Sequence, residues 1–258
     1  MELFDSHCHL DVEEFDADRR QVLADARAAG VEHLLIPAVA RRGWQALWEL
    51  CAGDDHLYPA IGLHPVLLAQ HRDEDLAAME RFVCEHRPVA IGEIGLDYFM
   101  RELDRDRQQT IFEAQLQIAE RECLPVVLHV RKAHDAMLAT LKRFDLVGGI
   151  SHAFNGSLQQ AEQYIDLGFR LGFGGMLTYP NASKLHALAR ALPLEALVLE
   201  TDAPDMTGAA HRYQRNSPAY LPEVLAKLAE LRATSPQIIA AQTTRNAFEA
   251  LQLGSASN

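Results

Sequence analysis

The chain has 258 residues, with 24 Lys and Arg against 36 Asp and Glu, a formal net charge of −12, and 12 His. A hydrophobic share of 48% with 23% charged residues is ordinary globular composition, which excludes disorder, collagen and coiled coil. The acidic balance excludes a protein that grips duplex nucleic acid over a broad basic surface, but not a small pocket that handles phosphates through metal ions.

The opening segment, Met-Glu-Leu-Phe-Asp-Ser-His, has neither a basic start nor an apolar stretch, so no signal peptide is expected. No run of ~18 apolar residues marks a membrane span. Cys8, Cys51, Cys84 and Cys123 lie far apart with no CxxC pair, which fits free thiols in a reducing compartment and a cytoplasmic protein.

Along the chain, short apolar runs alternate with amphipathic stretches. Strands are predicted at residues 3–9, 33–37, 58–64, 89–96, 125–131, 148–153, 169–174 and 196–202. Most run apolar without alternation, as strands buried on both faces do. Helical periodicity falls between them at 19–29, 74–86, 108–121, 134–144, 158–167 and 182–191. Strict alternation implies parallel pairing with right-handed crossovers. The fold class is therefore α/β. Its expected form is a single (β/α)8 TIM barrel spanning 1–258, with closing helices at 217–232 and 236–251 and a frayed tail at 254–258. A doubly wound sheet has the same periodicity, but no strand–GxGxxG–helix start is present.

Barrel enzymes place their chemistry at the C-terminal ends of the strands. The first predicted strand ends in His7-Cys8-His9, whose imidazoles share a face about 6.7 Å apart at ~3.3 Å per residue. The fourth carries Glu93, the fifth His129, the sixth His152 and the eighth Asp202. Six such donors exceed the three that a catalytic zinc takes, and suit two divalent ions sharing a carboxylate. His7, His9 and Asp202 are assigned to one ion, His129 and His152 to the other, with Glu93 bridging. The alternatives are a satisfied core residue for any one histidine, His152 above all, and a pairing of Glu93 and Asp202 with Arg131. A buried carboxylate still needs a compensating cation or donor.

These residues carry a resemblance. Leu3-Phe-Asp-Ser-His7-Cys-His9-Leu-Asp11, Pro125-Val-Val-Leu-His129-Val-Arg131-Lys-Ala-His-Asp135 and Leu197-Val-Leu-Glu200-Thr-Asp202-Ala-Pro204 resemble three signatures of the TatD family of metal-dependent hydrolases. Gly92-Glu93-Ile-Gly95-Leu-Asp97-Tyr98 and Arg215-Asn216-Ser-Pro218-Ala-Tyr-Leu221-Pro222 also look like family segments, and the matches run from residue 3 to Phe248. Within the family the chain looks most like the YjjV-like branch. The resemblance implies an amidohydrolase-type TIM barrel with two divalent metals on His7, His9, Glu93, His129, His152 and Asp202. It also implies nuclease activity on DNA or RNA ends, and a relative removes D-amino acids from tRNA. The family often carries a second histidine directly after Gly-x-His-Pro. Here Gly62-Leu63-His64-Pro65 is followed by Val66, so one phosphate contact is missing.

The expected chemistry is hydrolysis by metal-activated water, with Asp202 orienting that water and accepting its proton. His64 is a candidate phosphate donor, or else a plain loop histidine. Arg131 offers a planar fork to phosphate, or else pairs with Asp97. The loop at 204–217, with His211, Arg212 and Arg215, is the expected substrate rim, where Arg212 is a candidate contact or simply solvated charge. Gly172–Gly175 either presents amides to an anion or permits close packing. The leading expectation is a monomeric phosphodiesterase or deoxyribonuclease acting on a small phosphoester or a nucleic-acid end, without tight duplex binding. The alternative is a carbonyl-centre hydrolase of amides, lactones or aminoacyl esters, and a non-catalytic metal scaffold is the third class. With 7% aromatic residues, long stacking platforms are not expected. Imidazole-rich ligation favours zinc, manganese or nickel over magnesium.

Overall fold

The computed structural model describes residues 2–254. The expected frayed tail therefore falls, from residue 255 on, outside the described residues. Eight strands run in chain order: β1 (Leu3–Asp5), β2 (Val31–Pro37), β3 (Leu57–Ile61), β4 (Ala90–Asp97), β5 (Val126–Arg131), β6 (Gly149–Ser151), β7 (Phe169–Phe173) and β8 (Leu197–Leu199). Each pairs in parallel with the next. Ser6 N donates to Leu199 O at 2.9 Å and Asp202 N to His7 O at 2.8 Å, which joins β8 back to β1. The result is the expected TIM barrel.

The surrounding helices are α1 (Arg19–Ala28), α2 (Trp44–Ala52), α3 (Asp73–His86), α4 (Arg105–Glu122), α5 (His134–Leu141), α6 (Leu158–Asp166), α7 (Ser183–Ala191), α8 (Leu221–Arg232) and α9 (Pro236–Ala250). Local chemistry sets their starts. Asp104, Ser157 and Ser235 accept backbone N–H groups at the first turns of α4, α6 and α9. Helix α2 has no counterpart among the predicted helices. The first closing helix begins at Leu221 rather than 217, because Ser217 caps a separate 3-10 turn at Pro218–Tyr220. No helix among the described residues is long and apolar enough to cross a membrane.

Four strands end before the residues singled out in the sequence: β1, β3, β6 and β8 leave the ladder at Asp5, Ile61, Ser151 and Leu199. Left-handed backbone at Ala153 (φ 44°) and Asp202 (φ 57°) turns two of these chains out of register. On these four strands the candidate residues thus lie just past the ends, whereas Glu93 and His129 lie within β4 and β5.

The opposite end is plugged. Phe4, Leu35, Ala60, Ala90, Val127, Ile150 and Val198 point inward from seven strands and pack against Phe248 and Leu251 at the end of α9. Phe4 meets Phe248 edge-on, with ring centroids 5.2 Å apart. Burial of an aromatic side chain contributes roughly 1.5–3 kcal/mol. The floor is therefore apolar and rigid, and the chemistry is left to the mouth.

Candidate metal centre

Glu93 is the hub of the mouth. It lies where the β4–β5 register shifts between Ile91 and Ile94, and its N–H donates across to Ala38 O at 3.1 Å. That irregularity turns the buried carboxylate into the barrel. Around Oε2 stand His7 Nε2 at 3.0 Å and His9 Nε2 at 3.4 Å, with Asp202 Oδ1 3.6 Å from both nitrogens. Around Oε1 stand His129 Nδ1 at 2.9 Å, His64 Nε2 at 3.1 Å and His152 Nε2 at 3.5 Å. All six expected donors converge, and His64 joins them. All of them but His7 line one cavity of about 820 Å³.

The donor set fits divalent cations. His7 Nε2 and His9 Nε2 face each other at 3.3 Å, and two neutral imidazoles have at most one proton to place between them. Three clusters bring ligand atoms within 4.8 Å of one another: His7, His9 and Asp202; His7, Glu93 and His152; His64, Glu93 and His129. His129 is thus grouped with His64, where pairing with His152 was expected, while His152 stacks on His7 with ring centroids 3.8 Å apart.

Charge is shared unevenly among these groups. Burial would raise the Glu93 carboxyl, yet the charges of His64, His7 and His152 hold it well below the usual carboxylate range. Burial and the charge of His152 push His7 well below the ordinary imidazole value, and burial takes His64 down to about 4. His9 is lifted to about 9 against its burial by Glu93, and His152 to about 10, again against burial, by Asp202, Glu93 and Glu200. Protons on some imidazoles thus balance the buried acids. A cation would do the same while leaving every ring neutral.

The outer nitrogen of each ring decides what the inner one offers. His9 Nδ1 donates to Pro37 O at 3.1 Å and His129 Nε2 donates to Asp97 Oδ2 at 3.1 Å, so both turn a lone pair inward. His152 Nδ1 faces Glu200 Oε1 at 3.5 Å, too long for a full hydrogen bond but on the same side of the ring. His7 Nδ1 is buried without a partner. His64 is the inverse. Its Nδ1 accepts from Val66 N at 3.1 Å, so the neutral ring carries its proton on Nε2, directed at the site.

A family model described as TatD related DNase matches residues 4–252. The chain belongs to the TatD-related DNase family. The metal-dependent hydrolase YjjV of Escherichia coli strain K12 is 42% identical over 248 residues, covering 95% of each chain. The 3′-5′ ssDNA/RNA exonuclease TatD of Salmonella typhimurium is 34% identical over 253 residues, covering 95% of this chain and 97% of that one. The crystal structure of Escherichia coli YjjV superposes with a TM-score of 0.94 at 39% identity over 98% of both chains. The protein is accordingly a metal-dependent hydrolase of the TatD family.

Two carboxylates of this TatD-family site were given no role at the centre by the sequence reading. Asp97 was considered only as a partner for Arg131; its Oδ2 instead meets His129, and its Oδ1 accepts from Phe99 N and Met100 N at 2.9 and 3.2 Å. Glu200, two residues before Asp202, accepts from Ala153 N at 2.6 Å and backs His152. Gly172 serves close packing rather than anion binding, because a Cβ there would lie 2.1 Å from Glu200 Oε2. Glu200 could have been found as a third acidic or hydroxylic side chain in Glu200-Thr201-Asp202, a run without apolar residues after a fully apolar strand.

The outer residues divide. Arg131 lines the cavity and stacks on Phe99, with its guanidinium carbon 3.8 Å from the ring centroid, and pairs with neither Asp97 nor the metal-site acids. Arg212 stacks on Tyr213 at 4.7 Å and is not among the residues lining the cavity, which agrees with its alternative reading as surface charge. His211 is likewise taken, by Glu223 at 2.7 Å, and Arg215 by Asp18 at 2.6 Å. From that loop, Pro204, Asp205 and Met206 line the mouth, as does Val66 on the opposite wall.

Proposed function

We propose that this enzyme hydrolyses phosphodiester bonds at the ends of single-stranded DNA or RNA, at a centre of two divalent cations bridged by Glu93. The observation that carries this reading is the split of Glu93: Oε2 faces His7 and His9, and Oε1 faces His129 and His152. His7, His9 and Asp202 would hold one ion, His129 and His152 the other. Divalent cations bound there would supply a nucleophilic water at neutral pH and draw charge from a phosphoryl oxygen. Asp202 Oδ1, 3.6 Å from both His7 and His9, is placed to orient the attacking water and accept its proton. His64, with its proton turned inward, donates to the phosphoryl oxygen as charge develops on it. Arg131 at the cavity wall takes a neighbouring phosphate. Four imidazoles against two carboxylates favour zinc, manganese or nickel over magnesium.

The substrate class is supported by the family and by the relative named as an ssDNA/RNA exonuclease. We read the chain as one domain acting as a cytoplasmic monomer. The deciding experiment is a turnover screen of metal-stripped protein reconstituted with Mn²⁺, Zn²⁺ or Mg²⁺. It compares 3′-ended single-stranded DNA, small phosphodiesters and aminoacyl esters. Metal-dependent shortening of the DNA is expected. Turnover of the esters alone would replace this reading with carbonyl-centre hydrolysis.

A further inference from the structure

Beside the metal-site mouth lies a second cleft, of about 1000 Å³, between the β4–α4 connection and the end of β5. Its walls carry Tyr98, Phe99, Arg101, Glu102, Arg105 and Lys132. Arg131 stands at the junction, because it lines the metal-site cavity and stacks on Phe99. Lys132 Nζ lies 4.9 Å from the same ring, and the Arg105 guanidinium 4.5 Å from that of Tyr98.

Three features set this cleft apart from ordinary surface. The first is charge: Arg101, Arg105 and Lys132 line the cleft, with Arg131 at its edge, against one lining acid, Glu102, in a chain whose net charge is −12. Among the described residues none of these four cations has a carboxylate within 4.0 Å, whereas Arg107 pairs with Asp73 and Arg143 with Glu113. The second is the ring. Phe99 keeps 47% of its surface in solvent while cations lie against it. The third is its tie to the metal site: Asp97 accepts from the Phe99 and Met100 N–H groups with one oxygen and from His129 with the other. The ring is therefore held at a fixed offset from a metal-site imidazole.

Unpaired cations interleaved with an open aromatic ring are what a single nucleic-acid strand needs: backbone phosphates take the charge, and a splayed base takes the ring. We infer that the Phe99 cleft seats the strand adjoining the scissile end, with one base stacked on Phe99 and its flanking phosphates on Arg101, Arg105 and Lys132. This rests on the nucleic-acid reading above and adds to it the path of the polymer. Phe99 is the exposed ring of the two in the cleft and takes one base, so the cleft seats a short single-stranded end.

The test is fluorescence anisotropy of a labelled oligothymidylate, carrying phosphorothioate linkages against cleavage, titrated onto the metal-loaded enzyme. Phe99→Ala weakens binding by roughly five- to hundredfold, the range for one lost base stack, and Phe99→Trp restores it. Replacing Arg101 and Arg105 together by Ala lowers the slope of log affinity against log salt by about 1.4, at ~0.7 per lost single-strand phosphate contact. If the wild-type enzyme binds and shortens the oligonucleotide but these variants match it, the cleft assignment falls while the nuclease reading stands. An equal loss of affinity for thymidine monophosphate in Phe99→Ala would mean a structural role for the ring and also overturn it. If the wild-type enzyme neither binds nor shortens oligothymidylate, the nuclease reading fails first and takes the cleft with it.

Discussion

The imidazoles around Glu93 differ in which nitrogen faces inward, and this separates ligands from donors. His64 accepts at Nδ1 from Val66 N, so its inward Nε2 bears a proton and makes a poor ligand but a good hydrogen-bond donor. His64→Ala is therefore expected to keep its metal, measured by elemental analysis, while kcat falls about 10²–10³-fold, the usual loss for one donor to a developing oxyanion. Loss of metal from this variant would move His64 into the ligand set. His129 depends on Asp97 in the opposite sense. Asp97→Asn keeps an oxygen for the Phe99 and Met100 amides but can turn an NH₂ group toward His129 Nε2. The imidazole then tends to place its proton inward, and metal affinity drops about 10–100-fold by competitive chelation. The inward donors were legible in the sequence because each lies in or just after a short apolar run, on the side of the barrel where the strands end. Asp97 and Glu200 were not, because what a carboxylate meets is set by contacts between distant segments.

At the scale of elements, the periodic signal was strongest where burial is two-sided. β2, β4 and β5 carry buried aliphatic stretches, such as Leu34–Ile36 and Val126–Leu128, and fall within a few residues of expectation. β1, β3, β6 and β8 were overextended, since a donor following an apolar run looks like one more strand residue until its backbone turns away. Helix α2, with Trp44, Leu47 and Cys51 buried, was missed although it is as long as α6 and α7. α9 does more than close the barrel. Phe248→Ala removes the ring that meets Phe4 and His33, with centroids 5.2 and 4.9 Å away, and should cost about 3–5 kcal/mol in urea unfolding without changing metal content. α5 supplies a pH response. His134 opens this helix, its Nδ1 3.2 Å from Tyr164 Oη and its Nε2 3.2 Å from Asn155 Oδ1. Burial, with help from Lys184, holds its pKa below the ordinary value against the pull of Asn155 and Asp135, and a helix N-terminus also disfavours a cation there. The unfolded chain takes up a proton near pH 6.5, before the folded one does. The contribution of neutral His134 is thus complete above that pH and lost below it. Urea midpoints of His134→Gln should fall less than those of the wild type between about pH 7 and 5.

For the molecule as a whole, net charge and local charge do different things. The −12 total keeps polyanions off most of the surface, while the cleft beside the mouth collects unpaired cations and bound metal would add positive charge at the mouth itself. Metal binding is also linked to folding, because the donors come from β4, β5 and the segments after β1, β6 and β8, which meet only in the closed barrel. A cation that binds only the folded state at 100 times its dissociation constant adds about 2.7 kcal/mol. For a chain of this length each kcal/mol moves the melting temperature by about 2–4 °C. Chelation should therefore lower the melting temperature by roughly 5–10 °C, and restoring Mn²⁺ or Zn²⁺ should bring it back. In Glu93→Ala the shared carboxylate is gone, and both the chelator shift and metal-dependent turnover should vanish together. A chelator shift kept in Glu93→Ala would mean that the stabilising ion binds away from this centre, and the bridge assigned to Glu93 would have to be abandoned.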